Sequence, residues 1–122
     1  MSHSIVKNDE LTVVTYWGSL NVTDVQEVAK DALGREVLVY KNRIEDTRDV
    51  TSVDLGFKEL HEFAKTIRAV KLSRAVKTAI LTKGTLQYGI ARMFQMLTDD
   101  SPLKIEIFTD EAMARKWLLS DD

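Results

Sequence analysis

Apolar positions along this chain follow two rhythms, a period of two and a period between three and four, and their alternation predicts strands and helices in turn. Residues 4–7 and 10–17 are rich in Val, Ile, Thr and aromatic side chains, with the turn formers Asn8 and Asp9 between them, which predicts an N-terminal β-hairpin. Thr23-Asp24-Val25-Gln26 then has the spacing of a capping box, in which the Thr23 hydroxyl and the Gln26 side chain satisfy free N–H groups at a helix start. Val25, Val28, Ala29, Ala32 and Leu33 form one apolar face of that helix, and Gly34 stands where a C-cap belongs.

Residues 36–41 hold Val37, Leu38, Val39 and Tyr40, a continuous apolar run of the kind seen in strands buried on both faces. The polar, mixed-charge stretch 42–54 reads as a loop. A second helix is predicted over roughly 55–72, with Leu60, Phe63, Ala64, Ile67 and Val70 inward and Lys58, Glu62 and Lys65 outward. A second buried strand, 76–82, leads through Lys83-Gly84-Thr85 into a helix whose inward face is Leu86, Ile90, Met93, Phe94 and Leu97. Pro102 breaks the path. Residues 103–108 alternate Ile105 and Ile107 with Lys104 and Glu106, as a half-buried or edge strand does, and Thr109 or Asp110 caps a last helix burying Met113, Ala114, Trp117 and Leu118.

The element order is ββαβαβαβα, an α/β arrangement of five strands and four helices with no internal repeat or linker. Such alternation requires right-handed crossovers and a mostly parallel sheet, with the hairpin adding an antiparallel strand, so a five-stranded mixed sheet is expected. A length of 122 residues fits one domain spanning 1–122.

Composition narrows the function classes. Hydrophobic residues at 44% and charged residues at 30% are those of a folded globular chain. Seventeen Lys and Arg against nineteen Asp and Glu leave a net charge of -2, which provides no overall field for nucleic acid or anionic lipid. The absence of cysteine removes disulfides and thiolate chemistry. No apolar run approaches the roughly 20 residues that span a bilayer, and the N-terminus lacks a signal pattern, so the expectation is a cytoplasmic protein with no integral membrane segment. His3 and His61 have no second ligand at helical spacing and are expected in solvent, so neither a metal nor a cofactor is expected. No pair of acids shares a predicted pocket, and the chain is not expected to be an enzyme.

Three stretches carry a resemblance: Tyr16-Trp17-Gly18-Ser19-Leu20, Tyr88-Gly89-Ile90-Ala91-Arg92-Met93-Phe94, and Ile107-Phe108-Thr109-Asp110-Glu111-Ala112 followed by Trp117-Leu118. With the element order, they make nearly the whole chain resemble the SpoIIAA-like (STAS) family, and more narrowly an uncharacterised bacterial branch described as STAS/SEC14-like. The resemblance implies the SpoIIAA-like fold and a non-catalytic regulatory or protein-interaction module. It also implies an alternative, a carrier or sensor for a small amphipathic or lipid-like ligand. Anti-anti-sigma factors of this family have an Asp-Ser-Xaa-Gly pattern whose serine is phosphorylated. Here the nearest stretch is Val50-Thr51-Ser52-Val53-Asp54-Leu55-Gly56, which displaces the acid and the glycine from the hydroxyls.

Ser52, with Thr51 beside it, is the phosphorylation candidate, because a phosphate near the start of helix two would meet the positive end of its dipole. The crevice beyond the carboxyl ends of the strands collects the loops 42–52 and 83–85. There Lys83, Gly84 and Thr85 bring a cation, a permissive backbone and a hydroxyl to a helix start, suited to a small anion or simply to capping. Tyr88 and Arg92, four apart, present a phenol and a guanidinium on one helical face to a ligand or a partner protein. Gly89 costs a helix about 1 kcal/mol relative to Ala, which points to a close approach there. Arg68, Lys71, Arg74 and Lys77 gather cations around the end of helix two.

Overall fold

A computed structural model describes residues 3–7, 11–32, 42–69, 76–99 and 103–120. They form β1 (His3–Lys7), β2 (Leu11–Asn21), α1 (Val22–Ala32), β3 (Asn42–Asp54), α2 (Phe57–Ala69), β4 (Val76–Leu81), α3 (Thr85–Leu97), β5 (Leu103–Phe108) and α4 (Glu111–Leu118). The strands make one sheet in the order β1-β2-β3-β4-β5, antiparallel between β1 and β2 and parallel elsewhere.

The topology dictates where the helices lie. The crossovers through α1, α2 and α3 all step in the same direction along the sheet, so right-handedness puts all three on one face. Packing agrees: Val14, Tyr16, Leu20 and Val50 bury against Val28 of α1, and Val76, Ile80, Leu103 and Ile105 against Ala91 of α3. The last helix follows the edge strand and returns over the opposite face. Its Ala114 and Leu118 pack on Leu11, Ile44, Ala79 and Leu81. Because neighbours in the sheet are also neighbours in sequence, strand order never reverses. Of the loops 42–52 and 83–85 expected beyond the carboxyl ends of the strands, 42–52 lies within β3, and Lys83 and Gly84 join β4 to α3.

The largest departure from expectation is β3. The stretch 42–54 is not a loop but the central strand, paired parallel to β2 and β4. The apolar run 36–41 lies outside the described residues. Two register shifts, between Thr15 and Trp17 and between Gly18 and Ser19, interrupt the β2–β3 ladder, and Gly18 takes a φ of 71° there.

Helix starts differ in detail. Asn21, not Thr23, caps α1, its Oδ1 accepting from Asp24 N–H at 3.0 Å. Gly84, not Thr85, is the N-cap of α3, and its N–H donates to Gln87 Oε1 at 2.7 Å. Asp110 caps α4 through Ala112 N–H at 2.8 Å. Met113 and Leu86, expected in the core, are exposed at 61% and 43%, since the inward faces of α4 and α3 centre on Ala114 and Ala91. Apart from its chain neighbours and the backbone of its own helix, no described atom lies within 4 Å of where a Cβ on Gly89 would stand, so no neighbouring element makes the expected close approach. His3 is not in solvent: it is buried, with Nδ1 2.7 Å from Asp24 Oδ1. Of the four expected cations, the side chains of Arg68, Lys71 and Arg74 lie outside the described residues. Lys77 points to the other face and donates to the carbonyls of Trp117 and Ser120 at the end of α4.

Candidate functional site

Alternation along a strand sends residues i and i+2 to the same side, and on the three-helix face this rule lays down a polar floor. Arg43, Glu45 and Thr47 project from β3, Thr78 and Ile80 from β4, and Tyr16 from β2. Arg43 and Thr78 are direct register partners, as are Glu45 and Ile80. Above them, Val25 and Val28 of α1, Leu60 and Phe63 of α2, and Ile90, Ala91 and Phe94 of α3 supply apolar walls. Phe63 and Phe94 meet with ring centroids 5.2 Å apart. Between floor and walls is a cavity of about 110 Å³, partly open to solvent.

The floor is wired together. The Tyr16 hydroxyl donates to Glu45 Oε1 at 2.7 Å, and Arg43 Nε donates to Glu45 Oε2 at 3.0 Å. Burial pushes the Tyr16 phenol well above its ordinary value, and the neighbouring Glu45 charge and hydrogen bond push it further, so the phenol stays protonated and acts as a donor. Thr47 Oγ1 donates to the Leu81 carbonyl at 2.7 Å. Gln87 clips α3 to the sheet, its Nε2 donating to the Val50 carbonyl at 2.7 Å while its Oε1 caps the helix. Thr78 is 4% exposed, and its Oγ1 has no hydrogen-bond partner among the described residues. Behind Tyr16, the His3 ring lies 6.3 Å away and extends the polar cluster to Asp24 of α1. A buried ion pair adds little stability over apolar residues of the same volume.

The residues singled out in the sequence lie around this cavity rather than in it. Ser52 and Thr51 are exposed on β3, ahead of α2 rather than at its first turn, with Ser52 paired to Ser19 of β2. Lys83, Gly84 and Thr85 are exposed at the β4–α3 junction. Tyr88 is 51% exposed, and Arg92 is exposed with its guanidinium bonded to Gln95 of the same helix. Helix α3 walls the cavity through Gln87, Ile90, Ala91 and Phe94, not through Tyr88 and Arg92. Sequence reasoning missed Arg43, Glu45, Thr47, Thr78 and Gln87. One signal was present for Thr78, a polar residue in phase with Val76 and Ile80 on an otherwise apolar stripe.

Among the described residues no helix is long and apolar enough to cross a membrane. No protein-family model matches the sequence, nor does any curated protein. Among solved structures, the chain is similar to an uncharacterised protein of the DUF3478 family from Shewanella loihica PV-4, described as having a SpoIIAA-like fold. The two share 18% identity at a TM-score of 0.61, over 96% of this chain and 92% of that one. With its five-stranded mixed sheet and four helices in the order ββαβαβαβα, this chain has the SpoIIAA-like fold.

Proposed function

We propose that this SpoIIAA-like chain is a non-catalytic binding module that takes a small amphipathic molecule between its sheet and the α2–α3 pair. One observation carries the reading: an apolar-walled cavity of about 110 Å³ over a buried Tyr16–Glu45–Arg43 floor. Binding sites for small molecules combine these features, a mostly apolar concavity with a few fixed polar groups. The regulatory reading, through modification of Ser52 or Thr51, retains exposed hydroxyls but loses the helix dipole that would have favoured a phosphate.

Native mass spectrometry of freshly purified protein tests the proposal, alongside Ala91→Leu, which places a larger side chain in the cavity. A small-molecule adduct on the wild type, absent from a folded A91L, is the expected result. Adducts identical in both proteins, or none in either, would count against it.

A further inference from the structure

The bonding state of the cavity floor specifies what kind of molecule it accepts. Tyr16, Glu45, Thr47 and Gln87 already spend polar atoms on other protein groups. Arg43 and Glu45 are the charged residues of the described lining, and they face each other at 3.0 Å, so the floor's formal charge cancels. A carboxylate or phosphate entering the cavity would lose its water without meeting an uncompensated cation, and an ammonium would fare no better. Two side-chain atoms of the lining are buried with no hydrogen-bond partner among the described residues: Nη2 of Arg43, whose Nε bonds Glu45, and, beside it in register, Oγ1 of Thr78, which belongs to an uncharged group able both to donate and to accept. A valine would fill the same space without stranding a hydroxyl.

We propose that the ligand is an uncharged molecule with a hydroxyl or carbonyl group on an apolar body, and that Thr78 reads that group. A threonine hydroxyl can donate to a carbonyl or accept from an alcohol. The body is of about the size of one six-membered ring, since engineered apolar cavities of roughly 150 Å³ hold benzene and this one, at about 110 Å³, is partly open. The inference rests on the binding reading above and narrows it to a ligand class.

The test is a nitrogen–proton correlation titration of wild type, Thr78→Val and Thr78→Ser with benzyl alcohol, toluene and benzoate. Benzyl alcohol and toluene should shift cavity residues of the wild type, and benzoate should not at tenfold higher concentration. The affinity ratio of benzyl alcohol to toluene should fall about threefold to tenfold in T78V, the worth of one neutral hydrogen bond, and hold in T78S. An unchanged ratio in T78V, or benzoate binding more tightly than the alcohol, overturns the ligand class while leaving the cavity a binding site. Shifts from none of the three probes in the wild type sink the binding reading and the ligand class with it. Should T78V not fold, the ratio is read from T78S against Thr78→Ala, with the same loss expected in the alanine protein.

Discussion

Tyr16 keeps its proton because burial, first, and then the carboxylate it bonds make a phenolate costly. Its folded ionisation lies above that of the unfolded chain, near 10. Below that pH both states hold the proton and the contribution is complete. Above it the unfolded state releases its proton first, and stability falls by about 1.4 kcal/mol per pH unit until the folded phenol also ionises. Tyr16→Phe should cost about 1–3 kcal/mol at pH 7, because Glu45 Oε1 loses its donor. The same substitution should remove the alkaline loss, so urea denaturation at pH 8, 9, 10 and 11 should show the gap between wild type and Y16F narrowing. A gap constant with pH would mean that the phenol is not held in its neutral form by the fold.

At the level of elements, two glycines separate backbone need from packing need. Gly89 sits within α3 with nothing described around its missing Cβ, so Gly89→Ala should stabilise the protein by about 1 kcal/mol, read from the urea midpoint. Gly18 also has open space, but its φ of 71° penalises any side chain, so Gly18→Ala should destabilise by about 1–2 kcal/mol. The elements that sequence periodicity located well, β4, β5 and α2 through α4, are those whose inward residues are apolar. At β5 even the bounds agree, because Leu103, Ile105 and Ile107 alternate with Lys104 and Glu106. The central strand β3 was illegible for the opposite reason. Val50 and Val53 line the cavity too, but the first three β3 residues that face it are Arg43, Glu45 and Thr47, so this part of the strand carries the polar face of the site where a buried strand would carry Val or Leu. The run Val37 to Tyr40, outside the described residues, has the continuous apolar pattern of a buried strand. The candidate site was missed along with the strand that builds most of its floor.

Across the whole molecule the two faces of the sheet do different work: three helices roof a cavity, and α4 seals the other side. An ion-pair chain joins α4 to the central strand, Arg48 bonding Asp46 at 2.9 Å and Glu111 at 3.0 Å, with Arg115 on Glu111 at 2.9 Å. Burial alone would push the Asp46 carboxyl up, but the side-chain and backbone bonds from Arg48 outweigh it and hold the carboxyl below its ordinary value. That lowered ionisation gives stability present above the unfolded carboxylate value of about 3.9 and lost as the pH falls through the folded one. Asp46→Asn should therefore cost less than about 1 kcal/mol at pH 7, since Arg48 is partly solvated, and nothing in strong acid. Thermal melts from pH 7 to 2 should show the two curves converging. The long-range wiring of the floor has a kinetic meaning as well. Tyr16 and Glu45 are 29 positions apart in the chain, and Thr47 and Leu81 are 34 apart, yet each pair is joined by a single hydrogen bond. Loops of that size must close before either bond forms, so the floor rests on non-local contacts of the kind that slow folding. A fragment ending before β4, or one beginning after β2, would carry helices and strands without the residues that close the cavity floor.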